Sequence, residues 1–175
     1  ITSFGKEVLL WTKARFEQDG RRVLYGDTDS LFVELGTRDD DDLQTLAQAL
    51  VRTVNQDLAA HLRAAYGVQS RLELELDRVY LRLLLPHLRG SATGARKRYA
   101  GLSVEDGREE LVLVGLEAVR RDWTQLARTV QRSLYERLFH ARESPSGAAV
   151  DNQPVAAYLQ HVVAELRAGR SDALT

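Results

Sequence analysis

Val23-Leu24-Tyr25-Gly26-Asp27-Thr28-Asp29-Ser30-Leu31-Phe32-Val33 sets two β-prone runs on either side of a short Gly/Asp stretch. The pattern predicts a β-hairpin with acidic residues at its tip. Asp27 and Asp29 are two residues apart, and side chains two apart on an extended segment point to the same face. Two carboxylates on one face suit a hard divalent cation such as Mg2+, which takes oxygen ligands and completes its shell with water or substrate phosphates. Gly26 leaves room for close approach to the backbone. Taken alone, Asp-x-Asp reads first as a turn former, and nucleotide-sugar transferases use such a pair, so the bare motif fixes no reaction.

Outward from the hairpin, residues 3–18 read as a helix. Ser3 is its expected cap, Val8, Leu9, Thr12 and Phe16 form its stripe, and Gly20 ends it. The run from Asp39 to Asp42 is read as cap and solubilising first turn of a second helix. That helix carries Leu43, Leu46, Leu50, Val54, Leu58 and Leu62 at helical spacing as far as Gly67. Leu72, Leu74 and Leu76 alternate with Glu73, Glu75 and Asp77, which predicts a strand with one buried face, extending toward Pro86. After a loop from Gly90 to Gly94, residues 97–102 and 111–116 are expected to pair across Glu105-Asp106-Gly107. From Trp123 the apolar spacing turns helical, with Leu126, Val130, Leu134 and Leu138. A last helix follows, capped by Asp151 or Asn152 and opened by Pro154. The expected fold class is α+β, with an antiparallel-sheet body and packed helices over residues 1–121, then a helical piece over 122–175.

The chain has 175 residues, 44% apolar and 28% charged, enough to bury a core. It has no cysteine, which excludes disulfides, thiolate zinc sites and a cysteine nucleophile. No apolar run approaches the ~20 residues of a membrane span. It also has no methionine, even at position 1, and is read as a piece of a longer protein. The net charge of -1 argues against nucleic acid only as a total. Residues 1–60 carry a balance of -4, residues 61–110 +2 and residues 111–175 +1. No acid lies between Asp77 and Glu105, a window holding Arg78, Arg82, Arg89, Arg96, Lys97 and Arg98. The first two read as solvated surface. The Arg96-Lys97-Arg98-Tyr99 cluster reads as a phosphate-facing element.

Tyr25-Gly26-Asp27-Thr28-Asp29-Ser30 resembles the third polymerase motif of family B DNA polymerases. Arg96-Lys97-Arg98-Tyr99-Ala100-Gly101-Leu102 is similar to the family's Lys-Lys-Arg-Tyr motif, with Arg in place of the first Lys. Gly115-Leu116-Glu117-Ala118-Val119-Arg120-Arg121-Asp122-Trp123 resembles its palm-to-thumb segment. The three occur in the family's order, and the flavour is that of a bacterial member.

The resemblance implies the C-terminal palm and start of the thumb of a DNA-directed DNA polymerase, which joins nucleotides by two-metal-ion catalysis with Mg2+. It makes Asp29 a direct metal ligand and Asp27 its supporting neighbour. Tyr25, Gly26, Thr28 and Ser30 would frame them. Lys97, Arg98 and Tyr99, with Arg96, would hold primer-template duplex. Arg120 and Arg121 would touch DNA, or pair with Glu117 and Asp122 at the palm–thumb junction. The implied partners are primer-template DNA, deoxynucleoside triphosphates and, as a candidate, a sliding clamp, with no membrane. The implied location is bacterial cytoplasm, nucleoid-associated. Nothing in the chain resembles the family's first motif, with its further metal-binding Asp, or the second, which grips the nucleotide. The 175 residues alone are therefore expected to be inactive. The competing readings are a metal-dependent glycosyltransferase, which has no use for Arg96 to Tyr99, and a non-catalytic DNA-binding module, which would not need Asp27 or Asp29.

Overall fold

The computed structural model describes residues 2–36, 43–86, 97–105, 107–141, 152–170 and 174. The Asp39–Asp42 run, the Gly90–Gly94 loop, Arg96, Asp106 and Asp151 lie outside the described residues. The chain forms an α+β fold of two compact units, residues 1–79 and 80–175.

The first unit contains α1 (Thr2–Gln18), the strands β1 (Val23–Asp27) and β2 (Ser30–Val33), and α2 (Leu43–Tyr66). Val8 of α1 packs with Leu58 and Leu62 of α2, with Trp11 against them. Trp11 also stacks on His61 at 4.8 Å. Thr12 is fully buried inside α1, and its hydroxyl donates to the Val8 carbonyl at 2.8 Å, so its polarity is satisfied within the helix. Arg15 ties the two helices through Asp57 at 2.7 Å. The buried face of α2 runs through Leu43, Ala47, Val54, Leu58 and Leu62. Leu46 and Leu50 are half-buried beside it. Ser3 lies within α1 rather than capping it, because the helix is already formed at Thr2.

The alternating segment 72–77 is not a strand. Leu74 and Leu76 are half-buried while Glu73, Glu75 and Asp77 are exposed, as the alternation predicts, but Leu72, expected on the buried face, is exposed. Its backbone, however, pairs with a side chain. Asn55 of α2 accepts from the Leu74 N–H at 2.7 Å and donates to the Leu74 carbonyl at 2.9 Å. A carboxamide carries a donor and an acceptor side by side, so it can stand in for one residue of a neighbouring strand.

The second unit is built on β3 (Tyr80–Leu84), β4 (Tyr99–Glu105) and β5 (Arg108–Val114), an antiparallel sheet in the order β3-β4-β5. Ala100 and Leu102 of β4 point to a core completed by Leu116 and Phe139, with Leu84, Leu111, Leu113 and Tyr135 against it. The opposite face carries Gly101, over which the Tyr80 ring lies so closely that a Cβ there would sit 2.4 Å from it. A 3-10 helix (Glu117–Val119) leads to α3 (Gln125–His140), and α4 (Gln153–Arg167) follows.

The cap of α3 is Thr124, whose hydroxyl accepts from the Ala127 N–H at 3.2 Å; Trp123 is outside the helix and exposed. The expected α3 stripe of Leu126, Val130, Leu134 and Leu138 is only half-buried. The aromatic pair Tyr135 and Phe139 meets the sheet instead. Asn152 holds the cap position of α4 without a side-chain capping bond, and Pro154 stands in its first turn as expected. Arg137 lies 4.0 Å over the Tyr158 ring and links α3 to α4. No helix among the described residues is long and apolar enough to cross a membrane.

Candidate functional site

The acidic hairpin forms as expected. Tyr25 pairs with Phe32, Gly26 with Leu31 and Asp27 with Ser30, leaving Thr28 and Asp29 as a two-residue loop. The Tyr25 and Phe32 rings meet across the strands at 5.8 Å. The open end is closed by the Glu34 N–H donating to the Arg22 carbonyl at 2.9 Å and by Arg22 on Glu34 at 2.8 Å. Gly26 faces Leu31: a Cβ there would lie 2.9 Å from a terminal methyl of that side chain.

Thr28 has φ of 50°, a left-handed conformation rare for a β-branched residue and of the kind held at functional sites. It interrupts the extended run, so the strand rule that placed both carboxylates on one face does not carry across it. Asp29 is exposed, and its carboxylate makes no hydrogen bond or ion pair among the described residues. That leaves its oxygens open to a hard cation, the donor chemistry Mg2+ prefers. No cluster of three or more His, Cys, Asp or Glu capable of holding a metal occurs among the described residues.

The basic motif occupies a tight turn in the second unit. Lys97 is exposed with φ of 56°, which delays the start of β4 to Tyr99. Opposite it, Gly115 has φ of 62° and ends β5 at Val114. A Cβ on Gly115 would stand 2.0 Å from the Lys97 carbonyl oxygen, so only glycine lets the two backbones come this close. Tyr99 meets Tyr80 edge-on at 6.1 Å.

Arg98 turns inward. Its guanidinium donates to Glu117, whose second carboxylate oxygen accepts from Gln131 of α3 at 3.0 Å. The Gln131 carbonyl in turn accepts from the Ala118 N–H. One carboxylate thus joins the basic turn, the 3-10 helix and α3. The Gln131 amide, backbone hydrogen bonding and Arg98 hold the Glu117 carboxyl below its ordinary range against the opposing effect of burial. Burial pushes the nearby Tyr135 phenol up. Arg98 Nε is buried without a hydrogen-bond partner.

Arg120 is bidentate on Asp122, at 2.9 and 2.5 Å, while Arg121 is exposed with no ion pair among the described residues. Of the two acids expected to pair with Arg120 and Arg121, Asp122 takes Arg120 and Glu117 takes Arg98. Asp27 and Asp29 belong to the first unit, and Lys97, Arg98, Tyr99, Arg120 and Arg121 to the second. Sequence reading passed over Gly115 as a steric requirement and Gln131 as a bridge. The signals were a glycine closing a strand and a polar residue on the inner side of an amphipathic helix.

The chain belongs to DNA polymerase family B, whose profile covers residues 2–174. It is 40% identical over 174 residues to DNA polymerase II of Escherichia coli (strain K12), covering 99% of this chain and 21% of that enzyme. It is 30% identical over 172 residues to DNA polymerase 2 of Aeropyrum pernix, covering 98% of this chain and 17% of the relative. The DNA polymerase of Archaeoglobus fulgidus is 33% identical over 135 residues, which are 77% of this chain and 14% of that protein. The chain therefore spans about a fifth or less of the length of these relatives. The bacterial character of the motifs agrees with the E. coli match, and nothing in these matches favours a glycosyltransferase.

Proposed function

We propose that the chain forms the C-terminal palm (1–121) and the start of the thumb (122–175) of a longer DNA-directed DNA polymerase acting in replication or repair. The observation that carries this reading is the family match over residues 2–174, with the Tyr25–Ser30 string folded as a hairpin whose Thr28 and Asp29 are exposed. Asp29, with Asp27 beside it, would hold Mg2+. The bound metal would activate the primer 3′-hydroxyl and stabilise the leaving pyrophosphate. The chain's own part is to hold Asp29 at the tip of a paired hairpin, with its oxygens unengaged among the described residues. Lys97 and Tyr99 would meet the primer-template backbone, and Arg96, Arg120 and Arg121 would add to that surface. Arg98 supports them through Glu117. The ligands of the complete enzyme would be primer-template DNA and deoxynucleoside triphosphates, with a sliding clamp as a protein partner. Its setting would be the bacterial nucleoid.

Primer extension tests the reading. The complete enzyme extends a primer on a template in Mg2+, and the 175-residue chain alone does not. A complete enzyme with no template-directed incorporation overturns the function. Incorporation by the isolated chain overturns its proposed inactivity.

A further inference from the structure

The Asp27–Ser30 pair closes a loop of only two residues, and hairpin turns of that length need a left-handed residue at the first loop position. Thr28 stands there with φ of 50°, while Asp29 stays outside the left-handed region. That sign pattern belongs to a type II′ turn, whose first position is ordinarily glycine. Elsewhere the chain mostly obeys the glycine rule. Among the described residues, six glycines and two other residues have positive φ, and those two, Thr28 and Lys97, each stand inside one of the two motifs. A β-branched residue is among the least stable choices at positive φ. Thr28 is also exposed, so filling a core does not account for it.

We propose that Thr28 is a positioning residue for Asp29. The paired strands demand a left-handed turn, and the branched Cβ of Thr28 confines that turn to one narrow geometry. The backbone from which the Asp29 carboxylate projects is thereby fixed. Glycine at this position would relieve the conformation and open several φ/ψ regions to the loop, so the carboxylate would no longer be aimed. The difference matters because a displacement of about 1 Å at a reacting centre can cost about 10²-fold in rate. The inference rests on the polymerase reading, which makes Asp29 a metal ligand. It adds that the hairpin gives up stability at Thr28 in order to aim that ligand.

The test is single-nucleotide incorporation by the complete polymerase, with the rate, the KM for the deoxynucleoside triphosphate and the Mg2+ requirement measured separately. T28G should lower the rate at saturating nucleotide by about 10- to 100-fold, with KM and duplex affinity within about twofold of wild type. The Mg2+ concentration for half-maximal rate should rise by about tenfold. Amide hydrogen exchange over residues 23–33 should be no faster than in wild type, because glycine suits the turn. T28V keeps the branched Cβ and should recover most of the lost rate. T28S and T28N lack the branch and should fall with T28G, and they decide the matter where T28V fails to fold. A wild-type rate and Mg2+ requirement in T28G or T28S overturn the inference while the polymerase reading stands. Loss in T28V with retention in T28S assigns the effect to the hydroxyl and also overturns it. Faster exchange of the T28G hairpin makes Thr28 structural, with the same result. A wild-type enzyme without template-directed incorporation overturns the reading beneath it.

Discussion

The hairpin tip and the basic turn are both short motifs held by a left-handed residue, Thr28 in one and Lys97 in the other. They treat their charges in opposite ways. At the hairpin tip, Asp29 sits in the loop between paired strands, and its carboxylate is left exposed and unengaged among the described residues. At the basic turn, the central cation Arg98 is drawn into a half-buried network through Glu117 and Gln131. On the proposed reading, the hairpin tip keeps its carboxylate open for a metal, while the basic turn uses one of its charges to hold its own surface in place. Replacing Asp29 with Ala in the complete enzyme therefore has the largest expected effect. It should lower primer extension by at least about 10³-fold, the scale of losing several kcal/mol of metal-based stabilisation. The melting temperature and duplex affinity should stay near wild type. Retained synthesis removes Asp29 from the metal site, and a large fall in melting temperature would make the tip structural and break the contrast.

The two glycines sharpen the comparison. Gly115 combines φ of 62° with a Cβ position 2.0 Å from the Lys97 carbonyl, and both problems fall on backbone. Gly115→Ala should cost roughly 2–4 kcal/mol, combining the left-handed penalty with displacement of the turn. Gly26 meets the far end of Leu31 at 2.9 Å, which can rotate away, and the Ser30 carbonyl oxygen at an ordinary contact distance of 3.6 Å. Gly26→Ala should cost about 1 kcal/mol or less in stability. Chemical denaturation of the two variants checks the order, and a reversed order breaks the account of the turn.

The Glu117 network should show itself in acid. A carboxyl held below its ordinary value contributes stability that is fully present above its unfolded pKa, near 4.3–4.5. That contribution is lost as pH falls through the lower folded value. Glu117→Gln should lower stability by about 1–2 kcal/mol at neutral pH, through the loss of charge-assisted hydrogen bonds. It should also flatten the part of the acid limb that Glu117 supplies. Gln131→Met removes no charge, so a matching loss of stability would locate the effect in the bridge rather than in net charge. An unchanged acid limb in Glu117→Gln would reduce the network to packing.

The main helices and the hairpin were legible because their signals are local: apolar residues at helical spacing, such as Val54 and Leu58, and two β-prone runs about Gly26 and Asp27. The segment 72–77 was not, because alternation reports which side chains are covered and says nothing of what pairs with the backbone. Asn55, 19 residues before Leu74, supplies that pairing. The start of β4 was missed because a left-handed Lys97 leaves no mark in composition. Asp29 was legible as a candidate site residue because its chemistry is that of its own side chain. The inward turn of Arg98 was not, since it depends on Glu117 and Gln131, brought close only by folding.

The mildest test concerns an exposed pair on the same unit as Arg98. His140 meets the Glu136 carbonyl at 2.7 Å through Nδ1 and Glu109 at 2.8 Å through Nε2; the backbone contact first, then Glu109, raises its pKa. A raised histidine contributes stability that is fully present below its unfolded pKa, near 6.5, and lost as pH rises through the folded value. Its side chain is 56% exposed, so solvent screens the pair and the effect should be a few tenths of a kcal/mol. Melting wild type and His140→Gln across about pH 5 to 8 should show a small difference at the acid end that closes as pH rises. A constant difference at all pH values would mean the imidazole acts by packing alone. A difference as large as that of Glu117→Gln would erase the distinction between a charge engaged in a half-buried network and one left at the surface.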